Sequence, residues 1–378
     1  MRFIITLILF FPFCTFGQEG NLRIENEFIF GKDQSLRVSE YLGQVNGYVT
    51  DDTLNLYVIE SMTQEIKVFD KEGYLIRKIG KRGRGPGEFL RLNNIALIDN
   101  LIYAFDPVRF RINIFNLEGV LLGTLFTHKE SQVANFFKQI KEYDKNNLLI
   151  FYRQWGEGQY SKFDKDEIFH IWKKDFTAKE KSFGSFEGFN LSTDFAKIIT
   201  RTRGGSIDLI NKETIVVSPY IYNGLLYKYK KNGNDWFFEE TINGVDLDIK
   251  AYEEVDDQND PEVVTFRSFG NMVQGKYNVI DAGLYQFKEK YLVHFIMFKR
   301  YDLSETGEKW EFGVELFNIS GEFLSYSSLD VYDAREVVRS ERIVDFKDRY
   351  ENFYMLFGEQ GENYIKRFSL EFERKEGN

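Results

Sequence analysis

The chain has 378 residues, a formal net charge of −10 and one cysteine. That charge argues against nucleic acid as a general partner, and a single cysteine excludes a disulfide-held scaffold. With 17% aromatic residues and five prolines, the composition suits a large β protein whose strands carry Phe and Tyr, not a disordered chain.

In chain order, Met1–Gly17 reads as a secretory signal. Arg2 supplies the positive start, Phe3–Phe16 is almost wholly apolar, and Thr15 and Gly17 offer the small residues of a cleavage site before Gln18. The run is shorter than the ~20 residues that span a bilayer comfortably. Cys14 follows Phe11-Pro12-Phe13, which lacks the small residues that precede a lipid-modified cysteine. The expectation is secretion across the inner membrane to a periplasmic or extracellular location, not clearly as a lipoprotein. Residues 18–378 are read as one domain with no transmembrane segment.

Arg23–Phe30 reads as a strand, and two segments further on superimpose without a gap. Leu56–Gly80 matches Ile102–Phe126 at a spacing of 46 residues, Tyr57 falling on Tyr103, Phe69 on Phe115 and Gly73 on Gly119. Each copy reads strand, turn, strand, turn, strand, with Gly73 and Gly119 at tight turns that need positive φ. Repeats of this length built from short strands are the signature of β-propeller blades. Weaker copies follow: Leu148–Tyr152 with Ile168–Phe176, Thr214–Val217 with Leu225–Tyr229, Tyr291–Phe298 with Val314–Leu324, and Phe353–Phe357 with Tyr364–Leu370. The predicted fold is all-β, a six-bladed β-propeller of four-stranded antiparallel blades, its ring closed by the N-terminal strand at Arg23–Phe30. The aromatic pairs Tyr57 with Phe69 and Tyr103 with Phe115 are read as packing between blades.

Between the first two copies lies Gly80–Phe89, GKRGRGPGEF. With the preceding Phe69-Asp70-Lys71-Glu72-Gly73, and with Asp106 after the next blade's second strand, it resembles the G-x-G-P-G-E-[FY] segment of secreted six-bladed β-propellers of Bacteroidota-type bacteria, which are distantly similar to NHL-repeat propellers. Ile221-Tyr222-Asn223 to Leu226-Tyr227 resembles a second segment of that family loosely. The resemblance implies a fold and a compartment and assigns no reaction.

The candidate ligand-binding residues are Arg82, Arg84, Gly85, Gly87, Arg109, Arg201, Arg203 and Arg267. Arg82 and Arg84 flank glycines whose N–H groups form an anion nest in one reading, and let the chain turn between blades in the other. Connections between blades share one face of such a ring, so these arginines, with His128, Lys129, Arg335 and Arg339, form a basic rim on an acidic protein. Intervening Glu130, Asp333 and Glu336 offer the plain reading of an ordinary charged surface. The three histidines, His128, His170 and His294, occupy non-equivalent positions and do not converge on a metal, so no metal-binding residue is assigned. A Ca²⁺ ion in the central channel is left open. Glu253–Glu262 lacks the spacing and central glycine of a Ca²⁺ loop and reads as a solvated insertion. Trp155, Tyr160 and Trp172 flank an insertion in the third blade, either as a sugar-stacking surface or as core.

The expected role is a binding or interaction module, a monomer, engaging an anionic small molecule, a glycan or a protein partner on the face of the Gly-rich loop. The alternative is a propeller lyase or hydrolase with a divalent cation in the axial channel. Neither a nucleophile elbow nor an ordered Ser/His/Asp set supports catalysis, so enzymatic activity is left undecided, the binding module being the preferred reading.

Overall fold

The computed structural model describes residues 20–31, 42–126, 137–152, 167–255, 260, 262–268, 271–300, 309–333, 344–359 and 362–373. Six four-stranded antiparallel sheets follow one another in order. Strand β1 (Leu22–Phe30) comes first in the chain and belongs to the last blade. Blade one is β2 (Val45–Thr50), β3 (Leu56–Glu60), β4 (Glu65–Phe69) and β5 (Leu75–Ile79). Blade two is β6 (Asn94–Ile98), β7 (Leu101–Asp106), β8 (Arg111–Asn116) and β9 (Leu121–Phe126). Blade three is β10 (Phe137–Glu142), β11 (Asn147–Tyr152), β12 (Glu167–Lys173) and β13 (Lys179–Ser185). Blade four is β14 (Gly205–Asn211), β15 (Thr214–Pro219), β16 (Leu225–Asn232) and β17 (Asp235–Asn243).

Three short strands then form a small sheet of their own: β18 (Tyr252–Glu254), β19 (Val264–Ser268) and β20 (Asn271–Tyr277). Blade five is β21 (Val279–Phe287), β22 (Tyr291–Lys299), β23 (Lys309–Asn318) and β24 (Phe323–Asp333). Blade six is β25 (Val344–Lys347), β26 (Asn352–Glu359) and β27 (Glu362–Phe372), completed by β1. The closure is antiparallel, from Leu22 opposite Phe372 to Phe30 opposite Ile365. The N-terminal strand thus covers an edge that would otherwise expose a row of unpaired backbone groups.

The blades hold together through both faces of each sheet. Tyr57, Ile59 and Ile66 of blade one pack against Ile95, Ile102 and Phe115 of blade two. Leu56, Val58 and Phe69, from the alternate positions, pack against Phe30, Tyr354 and Ile365 of blade six. Tyr57 and Phe69 are therefore both packing between blades, but they face opposite neighbours, as the period-two alternation of a strand requires. Tyr103 likewise turns to blade three with Phe105, whose ring stands 4.7 Å from Phe137. Each fully buried Phe or Tyr contributes roughly 1.5–3 kcal/mol of hydrophobic stabilisation, which is how a chain without disulfides holds six sheets in a ring.

The turns repeat as the sequence repeats. In the outer hairpins the Asp70 and Asn318 side chains accept backbone N–H groups two and four residues on, Asn116 accepts the one four residues on, and Gly73, Gly119 and Gly321 each return an N–H to the carbonyl of that residue. Gly119 sits at φ 84°, and a Cβ there would stand 2.8 Å from Ile79 of the neighbouring blade. The inner hairpins use a different device. Asp51 accepts the N–H of Thr53 and Asn55, the Asn55 amide and the Tyr57 hydroxyl. Asp348 does the same for Tyr350, Asn352 and Tyr354.

Two features depart from the sequence reading. Between blades three and four lies helix α1 (Asp194–Arg203), capped by Thr193, whose hydroxyl accepts the Ala196 N–H, and ended at Gly204. Its Ile, Ile, Thr and Thr are poor helix formers, so local propensity reads as strand; burial of Phe195, Ala196, Ile198 and Ile199 decides the matter. Of the acidic segment Glu253–Glu262, Glu253 and Glu254 belong to β18 of the three-stranded sheet, and Asp260 and Glu262 both pair with Lys276 of β20. Among the described residues no helix is long and apolar enough to cross a membrane.

Candidate functional site

Each inner strand follows a connection from the preceding blade. Consequently all inner strands run from the face carrying those connections toward the opposite face. The Gly-rich loop, between β5 and β6, is one such connection, and its internal bonding is dense. Gly83 N–H donates to Phe89 O and Phe89 N–H to Lys81 O. The Glu88 carboxylate accepts the Gly85 N–H at 2.7 Å and meets Lys81 Nζ at 3.3 Å. These two donors, the Gly85 amide first, hold the Glu88 carboxyl below its ordinary range. A Cβ on Gly83 would collide with that carboxylate at 2.1 Å, so the glycine is needed for close approach.

The nest therefore already holds an anion, and it is the chain's own. From blade two, Arg109 donates to Arg84 O, and buried Arg111 donates to Glu88 O. Buried Asp106 accepts the Leu90 and Arg91 N–H groups. Arg82 donates to Met62 O across the adjoining loop. The structure brings Arg109 onto the loop at Arg84, while the Arg82 head group turns to Met62 of blade one. Arg82 and Arg84, both exposed, are what the loop presents to the outside.

The other predicted residues lie apart. Arg201 pairs with Glu187 at 3.1 Å. Arg203, from the last turn of α1, reaches the central cavity. Arg267 lies on β19 in the inserted sheet, opposite Met272. His128, Lys129, Trp155, Tyr160, Arg335 and Arg339 fall outside the described residues, as does Met1–Gly17, the segment read as a secretory signal. Trp172 is buried in the core between blades two and three.

The central cavity has a volume of about 1190 Å³ and is lined chiefly by the inner strands of blades one, two, three and six. Its lining residues are mostly polar or charged. Its two ends differ in charge. At the end nearest the Gly-rich loop stand Gln44, Asn46, Gln64, Arg91, Asn93, Asn94, Lys138 and Arg203, and Asp345, the second residue of β25, also lines the cavity. At the far end stand Asp51, Asp52, Asp99, Glu142 and Asp348. The cations there are already paired: Lys141 with Asp208 at 3.1 Å, Lys347 with Glu351 at 2.7 Å and Arg349 with Asp52 at 2.9 Å. By contrast the exposed Arg91 guanidinium makes no hydrogen bond or ion pair among the described residues. Arg91 and Lys138 escaped the sequence reading. The available signal was a polar residue opening each of several inner strands, as at Asn46, Asn94 and Lys138.

Two histidines are buried away from the cavity. His170 bonds Ser182 Oγ at 2.7 Å, and burial pushes its imidazole down to about 4. His294, on β22, lies between two carboxylates: Nδ1 is 2.6 Å from Glu315 and Nε2 is 3.1 Å from Asp281. Burial opposes its charge, but the bonds to Asp281 and Glu315 prevail and hold it up at about 9. Glu315 also accepts the Tyr222 hydroxyl at 3.0 Å and the Val245 N–H, and Asp281 accepts Ser206. This cluster ties blades four and five to the connection between them. Both ring nitrogens are occupied by carboxylates, so it is no metal site. Among the described residues no three His, Cys, Asp or Glu side chains are grouped to hold a metal ion.

The sequence profile of a family described as a 6-bladed beta-propeller (DUF5128) matches residues 44–202. A Bacteroides vulgatus protein of the DUF4221 family is similar in structure, with a TM-score of 0.55 at 11% identity, covering 94% of this chain and 100% of its own. A Bacteroides fragilis protein designated as exported has a TM-score of 0.47 at 12% identity, covering 93% of this chain and 96% of its own. An inactive variant of virginiamycin B lyase from Staphylococcus aureus has a TM-score of 0.44 at 7% identity, covering 91% and 99%. No curated protein matches the sequence. The chain is a six-bladed β-propeller. Its resemblance to the propellers of Bacteroidota-type bacteria, read from the Gly-rich loop, is borne out.

Proposed function

We propose that this propeller is a secreted binding module that takes an anionic, hydroxyl-bearing small molecule, of the uronate type, at the cavity mouth beside the Gly-rich loop. The observation that carries the reading is the segregation of charge along the cavity. Arg91, Lys138 and Arg203 share one end with the amides of Asn46, Asn93 and Asn94, while the lining carboxylates, Asp345 apart, gather at the other. A guanidinium presents a planar fork of donors to a carboxylate, and side-chain amides serve hydroxyl groups. A mouth of one sign in low-dielectric walls concentrates ligands of the opposite sign. Of the Gly-rich loop, Arg82 and Arg84 form the outer approach, with Arg109 holding the loop in place.

The test is calorimetric titration with glucuronate and with glucose at low salt. Glucuronate binding is expected to exceed glucose binding, to weaken with added salt, and to fall by about tenfold in Arg91→Ala or Arg203→Ala. Equal binding of the two sugars, or unchanged affinity in both variants, would refute the proposal. Arg84→Ala separates the mouth from the loop, since it should lower the association rate more than the affinity.

A further inference from the structure

A second cavity, of about 560 Å³, lies on the same face as the Gly-rich loop but over blade four. Its walls come from the β15–β16 connection at Tyr222–Leu225, the segment following β17, strand β18, and the residues leading into α1. The volume suits a small ligand. Its walls are already braced. Tyr252 hydroxyl accepts the Ser192 N–H at 2.8 Å, Asn223 Nδ2 donates to Asn190 O at 2.7 Å, and Gly244 N–H donates to Gly224 O at 2.9 Å. The cavity exists without a ligand to shape it.

Its chemistry is one-sided. Its lining includes the aliphatic side chains of Leu225, Val245, Leu247, Ile249 and Val279. The donors that line it are largely spent: the α1 N-terminus gives Phe195 N–H to Glu254 and Ala196 N–H to Thr193. Val245 N–H is committed to Glu315 below. The acceptors are not spent. The half-buried Glu253 carboxylate makes no hydrogen bond or ion pair among the described residues, and Asp246 accepts only the nearby Asp248 N–H. Among the described lining residues the one cation is Lys250, against Asp246, Glu253 and Glu254. Directly beneath, behind Tyr222, the two carboxylates of Asp281 and Glu315 outnumber the single His294.

From this juxtaposition we infer a second ligand site, for an organic cation with an aliphatic body: a primary ammonium held at the rim by Glu253 and Asp246, its chain lying along Leu225, Leu247 and Ile249. A free amine and the side chain of a lysyl peptide share this chemistry. The site is independent of the anion site at the channel mouth.

The experiment is titration of the full mature chain with n-hexylammonium, 1-hexanol and hexanoate, followed by calorimetry and ligand-observed NMR. Saturable binding of n-hexylammonium is expected, with the alcohol and the carboxylate weaker by about tenfold or more. Glu253→Gln and Asp246→Asn, both isosteric changes at accessible residues, should each weaken the ammonium by several-fold and leave the alcohol unchanged. Arg91→Ala should leave the ammonium and the alcohol unchanged. Nα-acetyl-lysine methylamide separates the sources: tighter binding than n-hexylammonium points to a peptide, weaker binding to a free amine. Equal binding of ammonium and alcohol, ammonium affinity indifferent to both substitutions in a protein of unchanged circular dichroism, or no saturable binding of n-hexylammonium, would each overturn the proposal.

Discussion

The charge held on buried His294 couples the folding stability of this protein to pH. An imidazole free in solution titrates near 6.5, and here it is held up at about 9. The facing groups are Asp281 from β21, Glu315 from β23 and Tyr222 from the β15–β16 connection, the tyrosine ring 4.5 Å away. Because the folded value is raised, the stabilisation is complete below pH 6.5 and is lost as pH climbs through about 9. At ~1.4 kcal/mol for each tenfold change in proton affinity, the cluster contributes roughly 3 kcal/mol to folding at pH 6. Near pH 8 unfolding should therefore release close to one proton from this site. Calorimetric unfolding in buffers of different ionisation enthalpy counts that proton, and the imidazole ¹⁵N shifts of His294 report the titration directly. His294→Gln leaves two carboxylates buried without their cation and is expected to lose about 3–5 kcal/mol at neutral pH. An imidazole that titrates at or below 6.5 in the folded protein would refute the reasoning, as would the absence of proton release near pH 8.

Three further outcomes test the scaffold. Asp348→Ala removes the acceptor for Tyr350 N–H, Asn352 N–H, the Asn352 amide and the Tyr354 hydroxyl; urea unfolding should show a loss of about 3 kcal/mol, and a loss below ~0.5 would mean the turn stands without it. Gly119→Ala should cost roughly 1–2 kcal/mol in the same assay, from positive φ and contact with Ile79, whereas Gly123→Ala, with open space at its Cβ, should be close to neutral and serves as the control. Removal of residues 20–30 uncovers β27 along its length; size-exclusion chromatography should show association through that edge, and a monomer of unchanged melting temperature would contradict the closure.

Much of the scaffold was legible because its signals are local. The outer turns at Gly73 and Gly119 announce themselves in a few residues, and so does the β1 strand. The inner-hairpin device is equally local: Asp51, Asn55 and Tyr57 recur at the same spacing as Asp348, Asn352 and Tyr354. Asp106 stood out as part of the family pattern, yet only its bonds to Leu90 and Arg91 explain it: it fixes the loop's exit into β6. Helix α1 was missed because its β-branched residues contradict its state, which is set by burial. The basic rim was drawn as one constellation, but an arginine's position on a connection does not say where its head goes. Arg201 turned to Glu187, and Arg203, two residues on, reached the cavity.

The amino-acid sequence alone determined what depends on neighbours a few residues away: strand alternation, turn chemistry, the 46-residue rhythm and hence a ring of six blades. Which side chains share the cavity, and how its two ends came to differ in charge, was decided only when the inner strands were set side by side around one axis. The same holds for the His294 cluster, whose bonds join Ser206 to Asp281 and Tyr222 to Glu315 across 75 and 93 residues. Interactions at that separation leave no periodicity in the chain, because ring closure, and not local geometry, brings the partners together.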